Sequence, residues 1–252
     1  MRGEQSQGNA ERTSRSPGIL YLVGVPIGHP DDVTVRALQV LRTVDLIAAK
    51  DTRATQALLA HHGLTVPLTS YHRESARDKV PLLLERLERG RSLALLSDCG
   101  MPGVYDIGAL LVRKATQRGI PVEVVPGPSA VTAAAALAGQ DGNRFVFEGA
   151  CPTGKRALGA FLRSLVAERR SLVLFLAARH VRRLLKGMVE VWGDRHIVLA
   201  IDLTTERQQV LRGRVTELLT AHPLRFRDGR ITAVVEGARR EKKASPRGRR
   251  EA

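Results

Sequence analysis

The chain has 252 residues, enough for one large domain or two small ones, and 43% hydrophobic residues give it material for a core. Aromatics make up only 4%, so Leu, Val and Ala must build that core. The formal net charge is +15; the last fifteen residues, Ala238 to Ala252, hold seven Lys/Arg against two Glu, and most of the excess lies in the body of the chain. A basic body together with a basic tail points to a polyanionic partner, most simply nucleic acid. No apolar run approaches the ~18 residues of a membrane span, and the polar start, Met1 to Pro17, lacks the apolar stretch of a secretory signal. Two cysteines, Cys99 and Cys151, make no disulfide framework and offer no metal-ligand spacing, which fits a reducing cytoplasm.

In chain order, residues 1–17 read as a disordered leader. Ile19–Val23 is a predicted strand that runs into the turn Gly24-Val25-Pro26-Ile27-Gly28. Asp31 or Asp32 is expected to cap a helix whose inner face carries Val33, Ala37, Val40 and Leu41. Asp45–Ala49 is a second strand, ending in Lys50-Asp51-Thr52-Arg53. A helix through Leu58 and Leu59 stops at Gly63, and Val66–His72 is extended. Ser75–Arg89 is a helix with Val80, Leu83, Leu84 and Leu87 inward, closed by Gly90.

The central stretch begins with the apolar run Leu93–Leu96 and breaks into Ser97-Asp98-Cys99-Gly100-Met101-Pro102-Gly103-Val104-Tyr105-Asp106. A helix from Asp106 to Gln117 follows, then a strand at Val122–Val125, then Pro126-Gly127-Pro128-Ser129-Ala130 and an alanine-rich helix that Ser129 is placed to cap. The alternation of strand and helix implies a parallel sheet. In such sheets ligands bind outside the carboxyl ends of the strands. Two glycine-rich loops should therefore lie side by side there, with Asp98 offering an acceptor to a ligand hydroxyl or amine. Asp51, Arg53 and His72 follow successive strands, so they face the same rim if the strands share a polarity. Arg53 suits a phosphate or ribose, and Asp51 or His72 suits removal of a hydroxyl proton.

A boundary is expected near the turn Gly139–Gly142. Beyond it come strands at Phe145–Gly149, Ser171–Leu176, His196–Ile201, Gln209–Gly213 and Ile231–Glu236. Helices are expected after the basic loop Cys151–Arg156, over Val181–Val191 and over Val215–Ala221. Some connections here are too short for crossovers, so antiparallel pairs are expected. There is no GxGxxG with a following ribose acid and no Walker lysine, which disfavours nicotinamide enzymes and P-loop NTPases.

Several blocks carry a resemblance: Leu20-Tyr21-Leu22-Val23 with Pro26-Ile27-Gly28; Val35-Arg36-Ala37-Leu38; Asp45–Ala49 with Asp51-Thr52-Arg53; Ser70-Tyr71-His72; Ser97-Asp98 with Gly100, Pro102-Gly103 and Asp106; and Pro126–Ala130. In this order the chain resembles the tetrapyrrole methylase superfamily of S-adenosylmethionine-dependent methyltransferases, over roughly Ile19 to Gly237. It is most similar to the branch that methylates the ribose 2′-hydroxyl of a cytidine in 16S ribosomal RNA. The resemblance implies two α/β domains, 18–128 and 129–237, with a cofactor cleft between them, followed by a basic disordered tail over 238–252. It also implies a cytoplasmic homodimer that acts on 16S rRNA or the 30S subunit. It places S-adenosylmethionine against Pro26, Asp98, Gly100, Met101, Gly103, Val104, Ser129 and Ala130, with Leu176, Leu203 and Ala233 from the second domain. Arg53, His72, Lys155 and Arg156 would face the substrate. Lys50 stands where that family usually carries an acid, and Ile201-Asp202-Leu203-Thr204 stands in place of an Arg-Glu-Leu-Thr motif. Such departures keep two other readings open: methylation of a tetrapyrrole or another small molecule, and a catalytically impaired paralogue that binds RNA or the ribosome.

Overall fold

A computed structural model describes residues 16–140, 144–221 and 229–239. The leader up to residue 15, part of the predicted Gly139–Gly142 turn and the tail from residue 240 lie outside these ranges. The chain divides into two compact units. The first holds the described residues up to Pro26 and Pro30–Pro128; the second holds Ile27–His29 and the described residues from Ser129 onward.

In the first unit, strands β1 (Leu20–Val23), β2 (Leu46–Ala49), β3 (Leu68–Ser70), β4 (Leu93–Leu96) and β5 (Val122–Val125) form one sheet in the order β3-β2-β4-β1-β5. Every pairing is parallel. The crossovers are helices α1 (Val35–Thr43), α2 (Thr52–His61), α3 (Ala76–Glu88) and α4 (Ala109–Gln117). All four residues of β2 and of β4 are buried, as expected of inner strands covered on both faces. One face packs Leu20, Leu93 and Leu95 against Val80, Leu84 and Leu87 of α3 and Leu111 of α4. The other packs Val23, Ile47 and Leu96 against Ala37 and Leu41 of α1 and Leu59 of α2.

Two local expectations change. Asp31 and Asp32 sit in a 3-10 turn, Pro30–Asp32, and Thr34 caps α1 instead, its hydroxyl accepting from the Ala37 amide at 3.1 Å. Thr34 stands immediately before the first helical residue, where a cap oxygen reaches the third helical amide. The turn is pinned to the end of α2 by the Asp31–His61 pair at 2.8 Å and by His62 Nε2 donating to the Pro30 carbonyl. Likewise, α4 starts at Ala109 rather than Asp106, because the preceding residues form the glycine loop and Gly108 enters the helix at φ 131°.

The second unit opens with α5 (Ala130–Ala138). Its sheet comprises β6 (Phe145–Ala150), β7 (Ser171–Ala177), β8 (His196–Ile201), β9 (Gln209–Arg214) and β10 (Arg230–Val235), in the order β6-β7-β10-β8-β9. Only β6 and β7 pair in parallel, across α6 (Lys155–Ser164); the other pairings are antiparallel. The seven-residue step from β8 to β9 is too short for a helical crossover, so the chain must reverse. Helices α7 (Val181–Trp192) and α8 (Val215–Ala221) complete the core. Trp192 is buried there, its indole N–H donating to the Leu162 carbonyl at 2.6 Å, with the Arg195 guanidinium 4.9 Å from the ring centre.

Burial pushes the Cys151 thiol up to about 12. At pH 8 only about one Cys151 in ten thousand is thiolate, the reactive form. Mass-spectrometric alkylation should therefore find Cys151 almost unmodified at pH 8 in the folded protein. Between pH 8 and pH 10 its rate should climb about tenfold per pH unit without levelling off. A plateau near pH 9 would contradict the upward shift of this half-buried thiol.

Candidate functional site

The carboxyl ends of β1, β4 and β5 come together as a frame of backbone. Gly24 donates to the Val125 carbonyl at 2.9 Å, and Val25 and Gly100 exchange two amide bonds at 3.0 Å each. Gly24 and Gly127 cross so closely that a Cβ on Gly24 would lie 2.6 Å from the Gly127 nitrogen. Backbone cannot yield to such an atom, so this crossing requires glycine.

Over this frame hangs the loop after β4. Buried Ser97 donates its hydroxyl to the carbonyls of Cys99 (2.9 Å) and Gly100 (3.1 Å). Gly100 and Gly103 take φ of 73° and 84°, values costly for other residues. Gly103 donates to the Ile107 carbonyl at 2.9 Å, and Asp106 Oδ1 accepts from the Ile107 amide at 2.8 Å, which closes the loop. Met101 is half-buried with its sulfur against Gly24, and Val104 is exposed.

Lys50, at the end of β2, reaches across to this loop. Its ammonium lies 3.0 Å from Asp98 Oδ2 and 3.3 Å from Asp106 Oδ1. Burial works against the charge on Lys50, but the hydrogen bond to Asp98 and the charges of Asp106 and Asp98 outweigh it, and its pKa lies above the ordinary lysine value. Lys50 is therefore a fixed cation near neutral pH. The other oxygen of Asp98, Oδ1, is buried with no hydrogen-bond partner. A buried carboxylate oxygen without a donor is costly. It fits a ligand hydroxyl or amine, which is what the ribose or the ammonium of S-adenosylmethionine offers.

The other predicted residues fall out as follows. Asp51 caps α2: its Oδ1 accepts from the amides of Arg53 (2.9 Å) and Ala54 (3.0 Å). The Ala54 amide chiefly, with Arg53 and His72, holds the Asp51 carboxyl below its usual range. Arg53 is exposed on the first turn of α2. His72 is exposed and shares with Lys50, Arg73, Glu74, Tyr105 and Asp106 the wall of a cavity of about 680 Å³. Pro26 is half-buried, directly after the frame strand.

Within the second unit, Ser129 occupies the N-cap position of α5, but its side chain makes no capping bond, which corrects the expected cap. Ala130 is the first residue of that helix, which packs on β7, β8 and β10. Leu176 lies opposite Ile231, and Ala233 is flanked by Leu174 and Leu199. Leu203 is buried just past β8. Lys155 and Arg156 are exposed in the first turn of α6, where the helix dipole disfavours cations and an anion would relieve them. Sequence reasoning noted Lys50 only as a departure from the family pattern and gave no role to Arg73 or Tyr105.

A parallel sheet with glycine loops and a carboxylate oxygen lacking a donor at its strand ends, followed by a mixed sheet, defines a two-part α/β protein with a candidate small-ligand site at those loops. The chain belongs to the Tetrapyrrole (Corrin/Porphyrin) Methylases, which it matches over residues 19–219. Curated relatives carry the name "Ribosomal RNA small subunit methyltransferase I". The protein of that name from Thermotoga maritima is 39% identical over 87% of this chain and 99% of its own length. That of Xylella fastidiosa strain Temecula1 is 40% identical over 88% of this chain and 83% of its own. That of Escherichia coli O157:H7 is 36% identical over 94% and 84%. Among solved structures, diphthine synthase aligns at a TM-score of 0.67 and 16% identity, covering 87% of this chain and 90% of that one. A cobalt precorrin-4 methyltransferase aligns at 0.63 and 22%, covering 85% and 94%. At these identities the structures establish the fold alone.

Proposed function

We propose that the chain is an S-adenosylmethionine-dependent methyltransferase that modifies the ribose 2′-hydroxyl of a cytidine in 16S rRNA, working in the cytoplasm as a homodimer on the 30S subunit. The observation that carries this reading is the 36–40% identity, along most of the chain, to relatives named for methylation of small-subunit ribosomal RNA. Among the described residues no helix is long and apolar enough to cross a membrane.

When bound, S-adenosylmethionine supplies an electrophilic methyl group, so the protein must place an oxygen in line and take its proton. Asp98 Oδ1 would accept from the cofactor, and Gly100, Met101, Gly103, Val104 and Pro26 would hold it at the loops beside that carboxylate. His72 takes the hydroxyl proton. Asp51, with its carboxyl held ionised, stabilises the imidazolium that results. Lys50 does not serve as the base, because its environment favours the protonated form. Arg53, Lys155 and Arg156 hold phosphates, so RNA affinity should fall steeply with salt.

The test is methyl incorporation. Protein, labelled S-adenosylmethionine and 30S subunits lacking the modification should give label in 16S rRNA at a ribose 2′-oxygen. Label in a porphyrinoid acceptor and none in RNA would replace this reading with the small-molecule one. No transfer to either, with RNA still bound, would leave an impaired RNA-binding paralogue.

A further inference from the structure

The loop after β4 contains an aromatic residue that the cofactor reading does not use. We infer that Tyr105, which lines the 680 Å³ cavity on the loop that Lys50 clasps through Asp98 and Asp106, is a stacking platform for the base of the nucleotide being methylated, with Arg73 of the same lining for that nucleotide's phosphate. The inference rests on the RNA substrate proposed above and adds the residue that receives the base.

Three independent features support it. The first is exposure. The chain has three tyrosines, one tryptophan and five phenylalanines. Tyr71 is 1% exposed, whereas Tyr105 is 60% exposed and is the single aromatic among the exposed large hydrophobic side chains of the described residues. An aromatic-poor chain that leaves a tyrosine in solvent forgoes its burial energy there. The second is backbone geometry. Tyr105 has φ 52°, in the left-handed region that a bulky residue enters only at a cost. That conformation is held from both sides: Gly103 is tied to Ile107, and Asp106 is tied both to Ile107 and to Lys50. The backbone that carries the ring is thus set before any ligand arrives.

The third is the company it keeps. The same cavity is walled by the cations Lys50 and Arg73, by His72 and by the acids Glu74 and Asp106. Lys50 is paired with Asp98 and Asp106, whereas Arg73 is exposed to solvent. A flat π-face next to a cation and a potential proton acceptor matches the three parts of a nucleotide: base, phosphate and ribose hydroxyl. The volume lies within the range of small-ligand pockets. Chemistry on a nucleotide inside folded RNA needs that nucleotide splayed out of its stack, and proteins receive such bases on aromatic faces.

The test uses the full chain and a short single-stranded RNA containing cytidine, followed by fluorescence anisotropy. Tyr105→Ala should weaken binding about five- to a hundredfold, the range for loss of one base–aromatic stack. Tyr105→Phe should keep wild-type affinity. Tyr105→Gly separates a structural role from a binding one: it relieves the positive φ, so thermal stability should rise while RNA affinity falls. S-adenosylmethionine affinity by calorimetry should be unchanged in all three. Equal RNA binding by wild type, Ala and Phe variants would overturn the platform, as would a wild type that binds no RNA. Methyl transfer by the wild type is scored separately. Its absence, with the Ala-to-Phe contrast intact, would sink the proposed reaction and leave the platform standing.

Discussion

Asp98→Ala is expected to lower S-adenosylmethionine affinity by about ten- to a hundred-and-fiftyfold, the worth of a hydrogen bond to a charged acceptor, and to remove methyl transfer. The argument rests on an asymmetry within one carboxylate. Oδ2 has Lys50 at 3.0 Å, while Oδ1 is buried without a donor. A group that gives up hydration and receives nothing in the free protein gains most when the ligand donates. Asp98→Asn keeps the shape and one acceptor but breaks the pair with Lys50, so it should fall between wild type and alanine. Calorimetric titration of the three proteins decides the matter. Undiminished affinity in the alanine variant would mean that the orphaned oxygen is not the cofactor's partner.

Leu95→Ala should cost about 2–5 kcal/mol, as for other fully buried leucines. Leu95 is 0% exposed on β4, the middle strand of the parallel sheet, opposite Leu22 on β1 and Ala48 on β2. Its Cδ2 lies 2.8 Å from where a Cβ on Gly108 would stand, so it props the base of the glycine loop. The cavity left by truncation opens beneath that loop. Urea denaturation followed by circular dichroism should show a lower midpoint, accompanied by weaker S-adenosylmethionine binding. Leu95→Met conserves most of the volume and should cost under about 1.5 kcal/mol. A midpoint as high as wild type in the alanine variant would refute the packing account.

The alternation of strand and helix was legible because each inner strand is a short apolar run, such as Leu93–Leu96, cut off by Gly and Pro. The antiparallel pairs of the second sheet were legible from connection lengths. The glycine loops and Asp98 could be singled out because parallel sheets present loops at one edge. What stayed hidden depends on strand order. Lys50 and Asp98 are 48 positions apart, and only the insertion of β4 between β2 and β1 puts them within reach. Nothing in the local pattern around Lys50 or Tyr105 announces that neighbourhood. Asp51 illustrates the opposite limit. Its residue type suits both a base and a helix cap, and the amides of Arg53 and Ala54 claim its carboxylate in the folded chain.

The one tryptophan has an experimental use. Trp192 lies in the core of the second unit, bonded to Leu162 and covered by Arg195. Its emission is a reporter blind to the first unit, whereas the ellipticity of the helices reads both. Recording the two signals on one denaturation series therefore measures cooperativity between the units without any label. Superimposed curves would mean that a defect such as Leu95→Ala is transmitted to the whole chain. An emission curve that stays put while ellipticity shifts would mean that the two units melt as independent bodies, and that damage beneath the glycine loop stays local.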